Sequence, residues 1–373
     1  MPANEMRKGG VKVLAAAGSS GGHIFPAVAF LDSLRNKHKG IDLLLVLPKR
    51  VETSHLVSGL CYQVRYISVS PIRFRLDCRN FIAVLRFFKG WLESLFLLFE
   101  FRPDMVVGFG SLDSVPVLLS AWLLRIKTLI HEQNVIPGRA NRFLAKFADK
   151  VAVSFAATKD YLKINPEKVV FTGNPMRQEL KEIDRPAALH FFGFNDLKFT
   201  ILVMGGSQGS QRINSSFLKA ISTVPDKSGL QVIHIAGEKE CAALEISYRE
   251  MGLNARVFVF LEQMQYAYSI CDLAVSRAGA TAIAELIFFR VPVIIIPYPF
   301  AYNHQLSNAE ILEKMGAAVV IKDDQLDTAG LKQALDGLMH NPERLALMRS
   351  YYSGALKANA NDLLAQEALS LAG

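Results

Sequence analysis

The chain has 373 residues, 51% of them hydrophobic and 20% charged, with a formal net charge of +8. That length exceeds one ordinary hydrophobic core and predicts about two domains, while so apolar a composition excludes a disordered chain. The charge is uneven, since residues 1–173 hold 24 Lys+Arg against 13 Asp+Glu and residues 174–373 hold 18 against 21. A basic first half attracts nucleic acid, anionic lipid headgroups or phosphorylated substrates, and charge alone does not choose among them. Cys61, Cys78, Cys241 and Cys271 show no Cys-x-x-Cys spacing and no nearby histidine pair, which excludes a zinc-finger or disulfide framework and fits a reducing cytoplasm.

The first apolar run, Val11 to Ala17, passes straight into a glycine loop and reads as a buried strand, not as an export signal. From there, short apolar runs alternate with longer helix-period segments, the βαβ pattern of parallel sheets. Strands are predicted at Val11 to Ala17, Asp42 to Leu47, Val64 to Val69, Met105 to Gly108, Thr128 to His131 and Lys150 to Ser154. The pattern restarts with Thr200 to Met204, Gln231 to Ala236, Arg256 to Leu261, Leu273 to Ser276, Val293 to Pro297 and Ala318 to Ile321, and Pro342 to Ala372 reads as terminal helices. Gly173 to Phe194 carries the predicted boundary between two doubly wound, Rossmann-like domains. Phe81 to Phe101 is an apolar helix whose Arg86, Lys89, Glu93 and Glu100 share one narrow face, which argues against a membrane span. Just before it, Arg73, Arg75 and Arg79 interleave with Ile72, Phe74 and Leu76, a pattern suited to an anionic membrane surface.

Two loops carry the chemistry. Gly18-Ser19-Ser20-Gly21-Gly22-His23 and Gly205-Gly206-Ser207-Gln208-Gly209-Ser210 each follow the first strand of a half and open a helix, where free N–H groups attract negative charge. Neither has Gly-x-Gly-x-x-Gly spacing, and the second strand ends Leu45-Val46-Leu47-Pro48 without an acidic residue for a ribose, which disfavours a dehydrogenase. His23 can remove a proton from a hydroxyl near neutral pH. Donors around Ser207 suit a diphosphate leaving group, whose negative charge grows as a glycosidic bond breaks. No two aspartates are separated by a single residue, so the Asp-x-Asp signature of metal-assisted transfer is absent, and Asp323-Asp324 reads as a solvated turn. This points to activation by dipoles and Arg177 without a metal or other cofactor. After Ser276-Arg277, the small residues Ala278-Gly279-Ala280 and the helix to Glu285 can hold a nucleoside close, with Glu285 accepting ribose hydroxyls. Amide groups near Gln305 suit a sugar.

Taken together, Gly18 to His23, His131-Glu132-Gln133-Asn134, Gly173-Asn174-Pro175-Met176-Arg177, Gly205 to Gly209, Ala278-Gly279-Ala280 through Glu285, and His304-Gln305 followed by Asn308 resemble the MurG family, the UDP-N-acetylglucosamine:lipid I N-acetylglucosaminyltransferases of bacterial peptidoglycan synthesis. The resemblance spans nearly the whole chain. It implies an α/β GT-B fold of two Rossmann-like domains with a deep interdomain cleft: residues 1–176 for the acceptor and membrane, residues 177–354 for the donor, and a last helix near 355–373 packing back on the first domain. It further implies that Ser20, Gly21, Gly22 and Asn134 lie near UDP-N-acetylglucosamine and that Arg177 and Ser207 contact its diphosphate. In the same way the backbone near Leu261 reads the uracil, Ala280, Thr281, Ala282, Ile283, Ala284 and Glu285 hold the nucleoside, and Gln305 holds the sugar. The chain departs from the family pattern at Ser19 and Ser20, where Gly-Thr is usual, and in Ser111-Leu112-Asp113, where a second glycine and an aromatic residue are usual.

The implied reaction is an inverting transfer of N-acetylglucosamine to the 4-hydroxyl of the muramoyl sugar of an undecaprenyl-diphosphate-linked peptide, with His23 as general base. The implied setting is peripheral, on the cytoplasmic face of the plasma membrane, in cell-wall growth and division beside other cell-wall enzymes and without nucleic acid. The rivals are a diacylglycerol glycosyltransferase of the same fold, a UDP-N-acetylglucosamine epimerase, and a non-catalytic relative that only binds the donor. An epimerase needs no membrane-facing surface, so the loop from Ile72 to Arg79 weighs against it.

Overall fold

The computed structural model describes residues 10–51, 60–70, 79–206, 209–300, 304–354 and 359–372. The chain divides into two compact units, Met1–Gln178 with Ala358–Gly373, and Glu179–Lys357.

The first unit runs β1 (Lys12–Ala16), α1 (Gly21–Lys37), β2 (Asp42–Pro48), β3 (Gln63–Ile67), α2 (Arg79–Phe101), β4 (Met105–Gly108), α3 (Val115–Leu123), β5 (Lys127–Glu132), α4 (Arg139–Leu144), β6 (Lys150–Val153) and β7 (Val169–Phe171). All its strand pairings are parallel, in the order β3-β2-β1-β4-β5-β6-β7. Strand side chains alternate between faces, and both faces of this sheet are covered. Val13 and Ala15 pack with Ile24 and Phe30 of α1, while Leu14 and Ala16 pack with Leu98 of α2 and Val117 and Leu118 of α3. Burial on both sides explains why these strands read as continuous apolar runs instead of alternating ones.

The second unit runs α5 (Arg185–Phe192), β8 (Phe199–Met204), α6 (Gln211–Ser222), β9 (Leu230–Ile235), α7 (Cys241–Glu250), β10 (Asn254–Phe258), α8 (Met264–Ile270), β11 (Leu273–Ser276), α9 (Ala280–Phe288), β12 (Val293–Ile295), α10 (His304–Lys314), β13 (Ala318–Val320), α11 (Thr328–Met339) and α12 (Pro342–Ser350). Its parallel sheet has the order β10-β9-β8-β11-β12-β13. Ile201 and Val203 of β8 bury against Phe217 of α6 and Leu331 and Leu335 of α11. The last helix, α13 (Ala360–Ala372), belongs to the first unit and places Leu364, Ala365 and Ala368 in its core.

In both sheets the chain leaves the first strand and fills the two sides in opposite directions, so β1 lies between β2 and β4, and β8 between β9 and β11. A crevice opens outside the carboxyl ends of the strands at such a reversal, and ligands of open α/β sheets bind there. Each glycine loop stands at its own unit's reversal.

Candidate active site

In the first unit, Ser20 occupies the N-cap of α1 but makes no capping bond. Its hydroxyl lies 2.8 Å from Nδ1 of His23 instead, which leaves the first turn of the helix without the usual side-chain acceptor. The His23 ring is half-buried, and the crowding lowers its pKa below the ordinary imidazole value, while the charge of Asp113 pulls it back up. Gly110 borders the ring at φ +84°, and a Cβ there would lie 3.2 Å from His23 Cδ2 and 3.3 Å from Asn141 Nδ2. Glu132, buried at the end of β5, organises the neighbouring loop. Its carboxylate accepts from Asn134 N (2.9 Å), Asn134 Nδ2 (3.1 Å), Gly138 N (3.0 Å) and Asn141 Nδ2 (2.8 Å).

Beside it, His131 Nε2 donates to Gly173 O at 3.0 Å, because a carbonyl only accepts, and Nδ1 then accepts from Gln133 Nε2 at 3.2 Å. Burial takes the His131 pKa down to about 4, so this histidine is a neutral structural link between β5 and the Gly173-to-Arg177 turn. The Arg177 guanidinium sits 4.8 Å over the Phe25 ring of α1, with its Nε buried and without a hydrogen-bond partner. Both amide atoms of Asn174 are also buried without a partner. Unpaired buried polar atoms cost about 1–3 kcal/mol each, so their clustering in one turn sets it apart from an ordinary structural turn.

In the second unit, the loop after β8 returns on itself. Gly209 has φ +75°, and a Cβ there would fall 2.1 Å from Ala236 O, so only glycine fits. Ser210 caps α6 by accepting from Ile213 N at 3.5 Å, and it accepts a second hydrogen bond from Arg277 Nη2 at 2.8 Å. Arg277 is itself buried. Its Nη1 donates to Asp323 Oδ1 (2.5 Å), Ile296 O (3.1 Å) and Pro297 O (3.3 Å), and Arg212 Nη1 lies 3.5 Å from Asp323 Oδ2. Gln305 Oε1 accepts from Ala278 N (3.1 Å) and Tyr298 N (2.9 Å), and Asn308 Nδ2 donates to Ala278 O (3.1 Å). One amide pair therefore fixes the small-residue turn before α9. At that helix, Thr281 Oγ1 is buried without a partner, and Tyr268 Oη donates to Glu285 Oε2 at 2.7 Å. Among the described residues, no group of three or more His, Cys, Asp or Glu side chains is placed to hold a metal.

The N-terminal domain of glycosyltransferase family 28 matches residues 13–153, and the C-terminal domain of the same family matches residues 200–364. A UDP-N-acetylglucosamine--N-acetylmuramyl-(pentapeptide) pyrophosphoryl-undecaprenol N-acetylglucosamine transferase of Halothermothrix orenii is 36% identical over 346 residues, covering 91% of this chain and 93% of that protein. The like-named protein of Alkaliphilus metalliredigens is 34% identical over 365 residues, covering 97% and 99%. The crystal structure of Acinetobacter baumannii MurG superposes with a TM-score of 0.76 at 27% identity, covering 96% and 99%. The chain belongs to the MurG family. Its GT-B architecture is shared more widely: a UDP-GlcNAc 2-epimerase from Neisseria meningitidis matches with a TM-score of 0.67 at 15% identity, covering 96% of this chain and all of that one, a likeness of fold alone.

Within this MurG-family chain the expected site residues form two clusters, one separate position and a set outside the described residues. Ser20, Gly21, Gly22 and His23 stand together at the β1 reversal, with Asn134 held by Glu132 and Arg177 against α1. Ala280, Thr281, Ala282, Ala284, Glu285 and Gln305 gather after β11 and β12, but Ile283 is fully buried and turns its side chain into the core. Leu261 is buried just past β10. Ser207, Arg73, Phe74, Arg75 and Leu76 lie outside the described residues, as does the side chain of Arg79, where α2 begins.

One reading needs correction. Asp323 is not in a solvated turn: it is buried and pairs with Arg277, a partner 46 residues away that local sequence could not reveal. The charges of α2 share a face as expected, and along it three of them meet the segment around β3. Glu93 accepts from Ser68 N and Oγ, Arg86 donates to Ser70 Oγ, and Glu100 pairs with Arg65. Beside them, Val84, Leu85, Phe88, Leu92, Phe96 and Phe99 are exposed, as are Arg86 and Lys89.

Proposed function

We propose that this chain moves N-acetylglucosamine from UDP-N-acetylglucosamine to the 4-hydroxyl of the muramoyl sugar of undecaprenyl-diphosphate-linked peptide, lipid I, giving lipid II with inversion at the transferred sugar. The observation that carries the reading is the near full-length identity to transferases of that name, 36% over 91% of the chain, joined to a histidine at the β1 reversal. His23 acts as general base. With Ser20 accepting from Nδ1–H, Nε2 keeps its lone pair and takes the proton of the acceptor hydroxyl as its oxygen bonds to C1 of the sugar and the UDP oxygen departs with the bonding electrons.

The donor belongs to the second unit. The N-terminus of α6 and the loop at Ser207 receive the diphosphate, with Arg177 as the added cation. Thr281 Oγ1 and the turn at Ala280 meet the nucleoside, Glu285 accepts from the ribose, and Leu261 offers its backbone to the base. Gln305 keeps Oε1 on the backbone, so its Nε2 is the group that donates to the sugar. None of these roles calls on a metal or another cofactor.

The acceptor carries a long lipid, and the exposed side of α2 supports docking of the first unit on an anionic membrane surface. Phe88, Leu92, Phe96 and Phe99 recur at helical spacing beside exposed Arg86 and Lys89, the combination an interfacial helix uses. Among the described residues, no helix is long and apolar enough to cross a membrane, and the reading is a peripheral association. Incubation with radiolabelled UDP-N-acetylglucosamine and a short-chain lipid I analogue tests the assignment. Label should enter the lipid product, and His23→Ala should lose roughly 10²- to 10⁴-fold in turnover while still binding UDP. Label in diacylglycerol, or epimerised donor without transfer, sinks it.

A further inference from the structure

We propose that Arg50, Asp113, Ser111 and Ser19 form one positioning device, a guanidinium–carboxylate pair that ties the first glycine loop to the turn after β4 and so holds the His23 imidazole between them. The proposal rests on the reading of His23 as the base. Arg50 follows β2 and reaches both segments at once. Its Nη2 donates to Ser19 Oγ (2.9 Å) and to Asp113 Oδ2 (2.5 Å), and its Nη1 donates to Val69 O (3.1 Å). Asp113 has a side chain only 2% exposed, against 35% for Arg50, so its charge is compensated almost wholly by this pair and by Ser111 Oγ, which donates to Asp113 Oδ2 at 2.9 Å.

Ser111 has the backbone that makes such a tether necessary. It stands at φ +70° and ψ 155°, a region that essentially only glycine occupies without strain and that persists when surrounding contacts over-determine it. Its hydroxyl bond to Asp113 holds it, together with Ser114, whose N and Oγ donate to Ser111 O at 3.3 and 3.0 Å. The geometry then repeats on both sides of the imidazole. A Cβ on Gly18 would fall 2.3 Å from Ser111 Cβ and 3.1 Å from His23 Nδ1, and a Cβ on Gly110 would fall 3.2 Å from His23 Cδ2. The two glycines that border the ring are thus each followed by a serine fastened to the Arg50–Asp113 pair. Among the described residues, the charged group that acts on His23 is Asp113, with Arg50 bound behind it. Ser19 and Ser111 are two of the five positions, with Ser20, Leu112 and Asp113, at which these segments depart from the family pattern.

The test compares kcat, the donor KM and the pH dependence of kcat/KM for Asp113→Asn, Ser111→Gly, Ser19→Gly and His23→Ala in the radiolabel assay with the lipid I analogue. Asp113→Asn should lower kcat about tenfold or more, since small misplacements of a reacting group are costly, and leave the donor KM within about threefold. It should also move the acid limb of kcat/KM to lower pH, because the charge that raises the imidazole pKa is gone; a residue that only supports the fold would not shift that limb. Ser111→Gly should lower kcat severalfold without lowering the melting temperature. A folded Asp113→Asn with wild-type kcat and an unmoved acid limb overturns the proposal. If Asp113→Asn does not fold, wild-type kcat in both Ser19→Gly and Ser111→Gly overturns it equally. An active His23→Ala removes the underlying reading instead, which separates the two failures.

Discussion

Replacing Asp323 by alanine should destabilise the second unit by roughly 3 kcal/mol. The side chains of Arg277 and Asp323 are 10% and 9% exposed, and removing one partner of a buried pair costs about 3–5 kcal/mol, because the charge left behind cannot recover its water. The low end applies here, since Arg277 retains Ile296 O, Pro297 O and Ser210 Oγ as acceptors. At about 2–4 °C per kcal/mol for a unit of this size, the melting temperature should fall by roughly 6–12 °C. Trp91 and Trp122, the only two tryptophans, both lie in the first unit. Tryptophan fluorescence therefore follows that unit, and the transition that moves should be one seen by calorimetry. The double variant Arg277→Met, Asp323→Leu separates stability from function: an apolar pair of similar volume can restore most of the lost stability, yet Ser210 has lost its donor, so donor affinity should stay weak. A fall of less than about 1 kcal/mol for Asp323→Ala, well below the buried-pair range, would refute the reasoning, as would full donor affinity in the double variant.

Two further outcomes follow from the other ends of the molecule. Phe96→Asp on the exposed side of α2 should sharply reduce sedimentation with anionic phospholipid vesicles while leaving kcat on a detergent-dispersed lipid I analogue near that of the parent; unchanged vesicle binding would argue against that face. Acid should destabilise both units. Burial lowers His131 to about 4 and His234 to about 3, so between the ordinary imidazole value and those pH values the unfolded chain takes up protons that the folded chain refuses. Stability is then fully present above about pH 6.5 and declines as the pH falls, by up to about 1.4 kcal/mol per pH unit for each histidine. A melting temperature that does not change from pH 7 to pH 5 contradicts this.

The parts of this fold legible in the sequence are those set by contacts close along the chain. The buried strands announce themselves because residues such as Leu43 to Leu47 are apolar on both faces, and the glycine loops because clustered glycines directly after a strand mark a tight turn, as Gly209 at φ +75° makes. The short edge strand Val169–Phe171 escapes this logic, since its burial is only partial. What stayed hidden is pairing at a distance. Asp323 looked solvated because its partner is Arg277, and the partners of the α2 charges could not be read because Ser68, Arg65 and Ser70 come from the segment around β3. Arg50 carried no signal at all: only folding brings it from the end of β2 to Ser19 and Asp113.

The same distinction bears on where the molecule accepts local cost. Ser111 is strained, and Asn141 Oδ1, Asn174, Arg177 Nε and Thr281 Oγ1 are buried without partners. Tyr62 Oη and Ser120 Oγ are unpartnered as well and lie apart from the motifs, but the others belong to or adjoin the motif segments. Substrates that satisfy these atoms bind the folded chain alone, so they should raise its apparent stability in proportion to the logarithm of their concentration over Kd. Thr281→Val tests the point at one atom. It removes an unpaired hydroxyl at nearly constant volume, so the unliganded chain should gain about 1 kcal/mol or more while the stabilisation by UDP falls. A loss of stability without ligand would mean that the hydroxyl already has a partner.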